Sequence, residues 1–192
     1  MTSILKVDTI QDADGNNIIN ESGNTITVGA SGDTTNVIGT LNKDGVAVEN
    51  TPAFEAYNSS SQSLSDASAT KLEFDTEVFD SNGTFSSNRF TPGVAGKYFI
   101  HSKSHFGTGS DTTLIRCYYY IYKNGSSYAM TNFDTRSGGN FRVLPNHISA
   151  IMDLNTTDYV EIYAYVDVSS GSITGPGSSE KQLFGGYRIL GA

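Results

Sequence analysis

The sequence predicts an all-β protein: a jelly-roll β-sandwich head over residues 52–192, preceded by a short β-rich attachment or stalk segment over 1–51, assembled as a trimer. Three observations lead there. All aromatic residues (Tyr 11, Phe 10) lie at or beyond Phe54, so the large side chains that fill a globular core belong to one part of the chain. Twenty Gly and only 17% charged residues suit a chain of many tight turns and disfavour a helical bundle. Beyond Phe54, apolar residues alternate with period two, with turn signals every few residues.

The first segment contains Ile4–Ile10, Ile18-Ile19, Thr25–Val28, Val37–Leu41 and Val46–Val48, separated by Asp14-Gly15-Asn16, Gly23-Asn24, Gly29–Asp33 and Asp44-Gly45. Short aliphatic strands without an aromatic bury too little area to offset chain entropy alone. Their density of β-branched residues argues against disorder. The expectation is therefore that copies from several chains, three in the simplest picture, wrap together and share one apolar interior.

In the head, Val160, Ile162, Ala164, Val166 and Val168 fall on one face of a strand, with Tyr159, Glu161, Tyr163, Tyr165 and Asp167 on the other. The run Arg116–Tyr122 behaves likewise: Cys117, Tyr119 and Ile121 face one way, and Tyr118, Tyr120 and Tyr122 the other. Asn124-Gly125 then supplies a hairpin turn before Ser126–Met130. Both faces of such strands need cover, and another copy of the same sheet is the most economical cover in a chain without evident helices. Tyr118, Tyr120, Tyr122, Tyr163 and Tyr165 are accordingly the candidates for a surface buried between protomers. Further strands are expected over Thr70–Phe74, Lys97–Phe106, Phe141–Leu154 with Pro145 marking a bend or edge, and Gln182–Leu190. Eight or more strands with these turns specify a sandwich, and the jelly roll is its trimer-forming version.

Charge narrows the function classes. A formal net charge of −8 opposes binding to nucleic acid or to an acidic membrane surface, both of which need clustered Lys and Arg. No stretch approaches the roughly 20 apolar residues of a membrane helix, and acidic residues interrupt the place where a secretion signal has its apolar centre. Cys117 is the only cysteine, so no disulfide forms within one chain; a small buried apolar role is expected for it.

Phe79-Asp80-Ser81-Asn82-Gly83-Thr84-Phe85, Arg89-Phe90-Thr91-Pro92-Gly93 and Gly96-Lys97-Tyr98-Phe99-Ile100 resemble the signature of the globular head of complement's first component (C1q) and its tumour-necrosis-factor-like relatives. The likeness continues through most of 52–192. Pro52–Ala56 is similar to that family's first strand, Tyr122–Gly125 to its central hairpin, Thr157–Ile162 to the strand after its Gly-Asp turn, and Leu183–Leu190 to its closing strand. The chain departs from the family in having no Gly-X-Y repeat and in carrying Thr157 where the turn has Gly, so the resemblance implies the fold and a homotrimer, and not complement biology.

Leu5-Lys6-Val7-Asp8-Thr9-Ile10-Gln11, followed by Gly23–Gly29, resembles the N-terminal segment of bacteriophage appendage proteins, notably marine ones. That resemblance implies docking to other virion proteins through Leu5, Val7 and Ile10, assembly in the host cytoplasm, and a trimeric tip, as a tail or head fibre, turned toward a host surface glycan or protein. The polar loops 58–66, 107–113, 135–140 and 169–179 are the expected contact surfaces, with Tyr128, Phe133 and Asp134 as receptor-loop candidates. Rival readings are a capsid decoration without a receptor role and a non-viral C1q-like lectin or adhesion module.

Chemistry is sparse. His101 and His105 on a strand lie about 13 Å apart, too far for one ion, and His147 is isolated in sequence. Asp75 with Glu77, and Asp153 with Asp158, have the look of acid–base pairs, but carboxylates two apart on a strand ordinarily share a solvated face. Asp111 and Asp134, in Gly- and Ser-rich loops, are the candidate calcium ligands, and no oxygen-rich ion loop surrounds them. No nucleophile elbow, phosphate loop or zinc motif occurs. The sequence announces no catalytic residue, cofactor or metal site, and the chain is not expected to be an enzyme.

Overall fold

The computed structural model describes residues 9–11, 13–15, 17–22, 25–29, 31–39, 41–43, 46–108, 114–134, 143–171, 173–180 and 182–190. Leu5, Val7, Asp111 and the loop 135–140 lie outside the described residues. Contacts divide the chain into two units, Met1–Val48 and Glu49–Ala192.

In the first unit β1 (Thr9–Gln11), β2 (Asn17–Ser22) and β3 (Thr25–Val28) form a small antiparallel sheet in that order. β4 (Asn42–Lys43) and β5 (Val46–Ala47) form a two-residue hairpin ladder, Lys43 opposite Val46. Among the described residues of this unit none is buried, and Ile26 and Ile38 are 69% and 95% exposed. The expected strand over Val37–Leu41 is not formed, since Val37 and Ile38 lie outside any strand, and among the described residues the strands that do form have no interior of their own.

The second unit begins with β6 (Ala53–Tyr57), β7 (Gln62–Leu64), β8 (Ser68–Lys71), β9 (Thr76–Asp80), β10 (Phe85–Ser86) and β11 (Arg89–Phe90). The long strands follow: β12 (Gly96–Thr108), β13 (Leu114–Lys123), β14 (Ser126–Asp134), β15 (Val143–Leu154) and β16 (Val160–Val168). β17 (Ile173–Gly175) and β18 (Leu183–Arg188) end the unit. One sheet has the order β10-β11-β16-β13-β14; the other has β7-β17-β12-β18-β6-β9, with β15 paired along the whole of β12 from Gly96↔Leu154 to Gly107↔Val143. Pro145 sits on β15, which among the described strands pairs with β12 alone and so tolerates a residue without a backbone donor.

Alternation decides which face each strand buries. Tyr98, Ile100, Ser102, Ser104 and Phe106 of β12, Cys117, Tyr119 and Ile121 of β13, and Val160 to Val168 by twos of β16 all point into one core between the sheets. At one end Phe54 stacks on Phe90 and Phe85, with ring centroids 4.4 and 5.0 Å away, and meets Phe184 edge-on at 4.9 Å. These aromatics form the densely packed interior that the first unit lacks.

The central hairpin turns at Asn124 and Gly125, whose φ angles of 51° and 77° are those of the tight turn favoured between twisted strands. The strand expected over Thr70–Phe74 instead ends at Lys71. Side chains replace its ladder there: Gln62 Oε1 accepts from Glu73 N at 3.0 Å and Asn88 Oδ1 from Phe74 N at 2.7 Å, so Leu72 and Phe74 turn into the core.

The two ends of the head differ. Arg188 N donates to Pro52 O and Ile189 N to Lys97 O at the end where the chain enters. Ten residues further along β12, about 33 Å away at strand rise, Gly107 pairs with Thr174 at the far end.

Candidate functional site

The outer faces of the two sheets carry the side chains that matter. On the five-stranded sheet, register places Arg116 opposite Asp167, Tyr118 opposite Tyr165, Tyr120 opposite Tyr163 and Tyr122 opposite Glu161. The five tyrosines expected from alternation are thus brought together as one ladder. Their rings cover one another: Tyr122 stacks on Tyr163 at 4.2 Å, Tyr118 meets Tyr165 edge-on at 5.5 Å, and Tyr120 lies 5.6 Å from Tyr122. All five are half-buried within a single chain. Partial burial raises the pKa of Tyr120 and Tyr163, so both phenols stay protonated.

Ion pairs close both ends of the ladder. Arg116 Nε meets Asp167 Oδ2 at 2.8 Å, and its guanidinium reaches the Tyr165 hydroxyl at 3.4 Å. At the other end Glu161, nearly fully buried, takes Lys71 at 2.6 Å and Arg89 at 2.8 Å, while the Arg89 guanidinium lies 3.8 Å over the Tyr159 ring. Burial alone would raise the Glu161 pKa; hydrogen bonds from Lys71 and Arg89 outweigh it and the net shift is downward. Tyrosine-to-tyrosine contacts cover the middle of this face, while Met130 opposite Tyr120 on β14 is 50% exposed.

The outer face of the other sheet was not singled out by sequence. Phe99 on β12 lies between Ile151 on β15 and Tyr187 on β18. Its ring is 5.6 Å from that of Tyr187 and 5.8 Å from His101. Ile151 is 60%, Val143 51% and Tyr187 42% exposed. The available signal was Tyr98-Phe99-Ile100, where both phases of the alternation are apolar and neither can face water comfortably.

All three histidines share this face. His101 and His105 occupy the same phase of β12, four residues apart, as a strand requires. His147, solitary in sequence, pairs with Lys103 between them. Burial depresses the His101 pKa; Glu55 opposes that shift, and His147 and Lys103 add to it. Among the described residues no group of three His, Cys, Asp or Glu is arranged to hold a metal.

The receptor-loop candidates are not brought together. Tyr128 lies beside the hairpin turn, half-exposed, its hydroxyl donating to Ile151 O at 3.1 Å. Phe133 and Asp134 lie at the opposite end of β14; Phe133 packs against the core and only Asp134 borders the loop 135–140. The carboxylate pairs are structural. Asp75 accepts from Ser59 N and Oγ at 2.7 and 2.8 Å. Asp158 is held by Asn124, by the Asn155 backbone and by Lys123 at 2.9 Å, which together lower its pKa to about 2.

No family model and no curated protein sequence matches the chain. Solved structures do. The globular domain of zebrafish complement 1qA is similar over 72% of this chain and 97% of its own length, with 16% identity and a TM-score of 0.51. The crystal structure of murine APRIL at pH 5.0 is similar over 71% of this chain and 98% of its own, with 8% identity and a TM-score of 0.54. At such identities the likeness establishes the fold: the second unit is a jelly-roll sandwich of the C1q/TNF-like kind.

Proposed function

We propose that this chain is a non-enzymatic homotrimeric appendage protein of a bacteriophage, tail or head fibre. Residues 1–51 dock it to other virion proteins, and the jelly-roll heads face a host surface glycan or protein. The observation that carries the reading is the first unit, where Ile18, Ile19, Ile26 and Val28 lie on strands yet are exposed in a single chain. Exposed aliphatic strands of this kind are covered by association. Three tips held on one axis turn weak contacts into useful attachment through avidity.

Within the head, two faces compete for the contact between copies. The tyrosine ladder is the one expected from sequence. The Phe99–Ile151–Tyr187 face leaves more aliphatic surface to be covered, and we assign self-association to it. The test is the solution mass of the full chain, of a fragment beginning at Glu49, and of Ile151→Glu and Tyr120→Ser in that fragment. A trimeric fragment made monomeric by Ile151→Glu alone supports the assignment. Dissociation by Tyr120→Ser alone returns the interface to the ladder, and a monomeric full chain overturns the appendage reading. Peptides of this chain in purified phage particles, found by mass spectrometry, test the virion role.

A further inference from the structure

The sequence holds two Asn-Gly pairs, Asn82-Gly83 and Asn124-Gly125, and the fold holds them in opposite ways. A glycine nitrogen is not shielded by a side chain of its own, so it can attack the carboxamide carbon of the asparagine before it. What decides the reaction is how firmly that carboxamide is held. Asn124 is clamped. Its Nδ2 donates to Asp158 Oδ1 at 2.7 Å, its Oδ1 accepts from Tyr159 N at 2.9 Å, and its own N donates to Tyr159 O at 3.0 Å. The carboxamide cannot turn toward Gly125 N without giving up the first two of these bonds.

Asn82 is open. With Ser81 and Gly83 it forms the exposed bend between β9 and β10. A Cβ on Gly83, at a φ of 64°, would meet nothing within 4 Å. Among the described residues the Asn82 carboxamide has one partner, and it is the neighbouring residue: Ser81 Oγ donates to Asn82 Oδ1 at 2.6 Å and itself accepts from Ala53 N at 2.9 Å. The bend is shaped by Asp80, whose carboxylate accepts from Asn82 N at 3.2 Å, Thr84 Oγ1 at 3.1 Å and Phe85 N at 2.7 Å. A hydroxyl donor on Oδ1 stabilises the negative charge that this oxygen takes up when a nucleophile adds to Cγ.

We propose that Asn82 is a site of spontaneous self-modification, converting through a cyclic imide with Gly83 to aspartate and isoaspartate, with the Ser81 hydroxyl as the polarising donor and Asn124 protected. Gly83 N adds to Asn82 Cγ and loses its proton to solvent. The bond from Cγ to Nδ2 breaks and ammonia leaves, and water then opens the ring at either carbonyl. The product sets a second carboxylate beside Asp80, and in the isoaspartate form it lengthens the main chain inside the bend that holds Ala53. The inference needs neither the assembly nor a host ligand, so it stands or falls apart from the attachment reading.

The full chain is incubated at mildly alkaline pH beside free peptides 79–86 and 121–128, which carry the same pairs unheld. Digests are followed by mass spectrometry, and isoaspartate is identified by methyltransferase labelling. The expected result is that Asn82 converts in the folded chain at least as fast as in its peptide. Asn124 converts about thirtyfold more slowly than in its own, the weight of the two hydrogen bonds on its carboxamide. Ser81→Ala slows Asn82 about fivefold, the size of one neutral hydrogen bond, and Ser81→Thr, which keeps the hydroxyl, restores the rate. Protection of Asn82 in the folded chain, conversion of Asn124 at the rate of its peptide, or a Ser81→Ala rate equal to wild type each overturns it.

Discussion

The hydrogen bond between Ser102 and Tyr119 joins the two sheets at the centre of the head, and its direction fixes what each deletion costs. Both residues are fully buried. Their hydroxyl oxygens are 2.6 Å apart, and Ser102 Oγ donates to Leu183 O at 2.7 Å, so the Tyr119 hydroxyl is the donor to Ser102. Burial drives the Tyr119 pKa well above its ordinary value, which keeps that proton in place. Tyr119→Phe removes one donor and leaves Ser102 bound to Leu183, a loss of about 1 kcal/mol. Ser102→Ala removes the bond to Leu183 and strands the Tyr119 hydroxyl where water cannot reach it, which costs about 2–3 kcal/mol. In melting temperature these are about 3 °C and 6–9 °C for a unit of this size. The double variant should be more stable than Ser102→Ala alone, because it deletes the stranded group. Equilibrium urea unfolding by circular dichroism, at one protein concentration, measures all three. A Tyr119→Phe loss equal to or larger than that of Ser102→Ala would refute the assigned donor direction.

Three further outcomes follow from ionisable groups. Asp158 has its pKa lowered from 3.8 to about 2, so its contribution is complete above pH 3.8 and is lost as pH falls toward 2. The stability difference between wild type and Asp158→Asn should therefore shrink to nothing across that window, and a difference independent of pH would contradict it. His101 is held below its ordinary 6.5 by burial, so the folded head favours the neutral ring and loses stability as pH falls below 6.5. Glu55, His147 and Lys103 face it, and His101→Gln should remove this step from the unfolding profile between pH 7.5 and 5. Burial pushes the Cys117 thiol up to about 12, so a disulfide reagent should label it only as fast as the head opens, with urea accelerating the reaction steeply.

Much of the head was legible because its strands are regular. Val160–Val168 and Cys117–Ile121 bury the phase that alternation assigned to the core, and Asn124-Gly125 makes the expected turn. Misplaced parts have local causes. β8 ends at Lys71: Leu72 N still donates to Ile162 O on β16, but Glu73 N and Phe74 N turn to the side chains of Gln62 and Asn88, which are distant in sequence from one another. Tyr128 and Phe133 looked like neighbours of one loop, but β14 separates them: Tyr128 sits where the register with β13 shifts, its hydroxyl on Ile151 O, and Phe133 packs against the core. The polar loops around Ser61, Gly107 and Thr174 were legible as surface segments, but only the pairing of β7, β17 and β12 shows that they meet at one end of the head.

Register also decides what the two aromatic faces are for. Composition shows tyrosines that need cover, yet cover can come from a neighbouring ring as well as from a neighbouring chain. Pairing Tyr118 with Tyr165 and Tyr120 with Tyr163 lets the rings stack within one sheet, and the ion pairs at Arg116–Asp167 and Glu161 pin both ends of the row. The Phe99 face has no such closure. Its neighbours are Ile151 and Tyr187, and Ile151 carries no hydroxyl or charge that water can satisfy. Placing a carboxylate at Ile151 sets a charge in the middle of that face. If two copies meet there, the charge must be desolvated at the centre of the contact and association fails. If the copies meet at the tyrosines, the same substitution remains in water and leaves the mass unchanged.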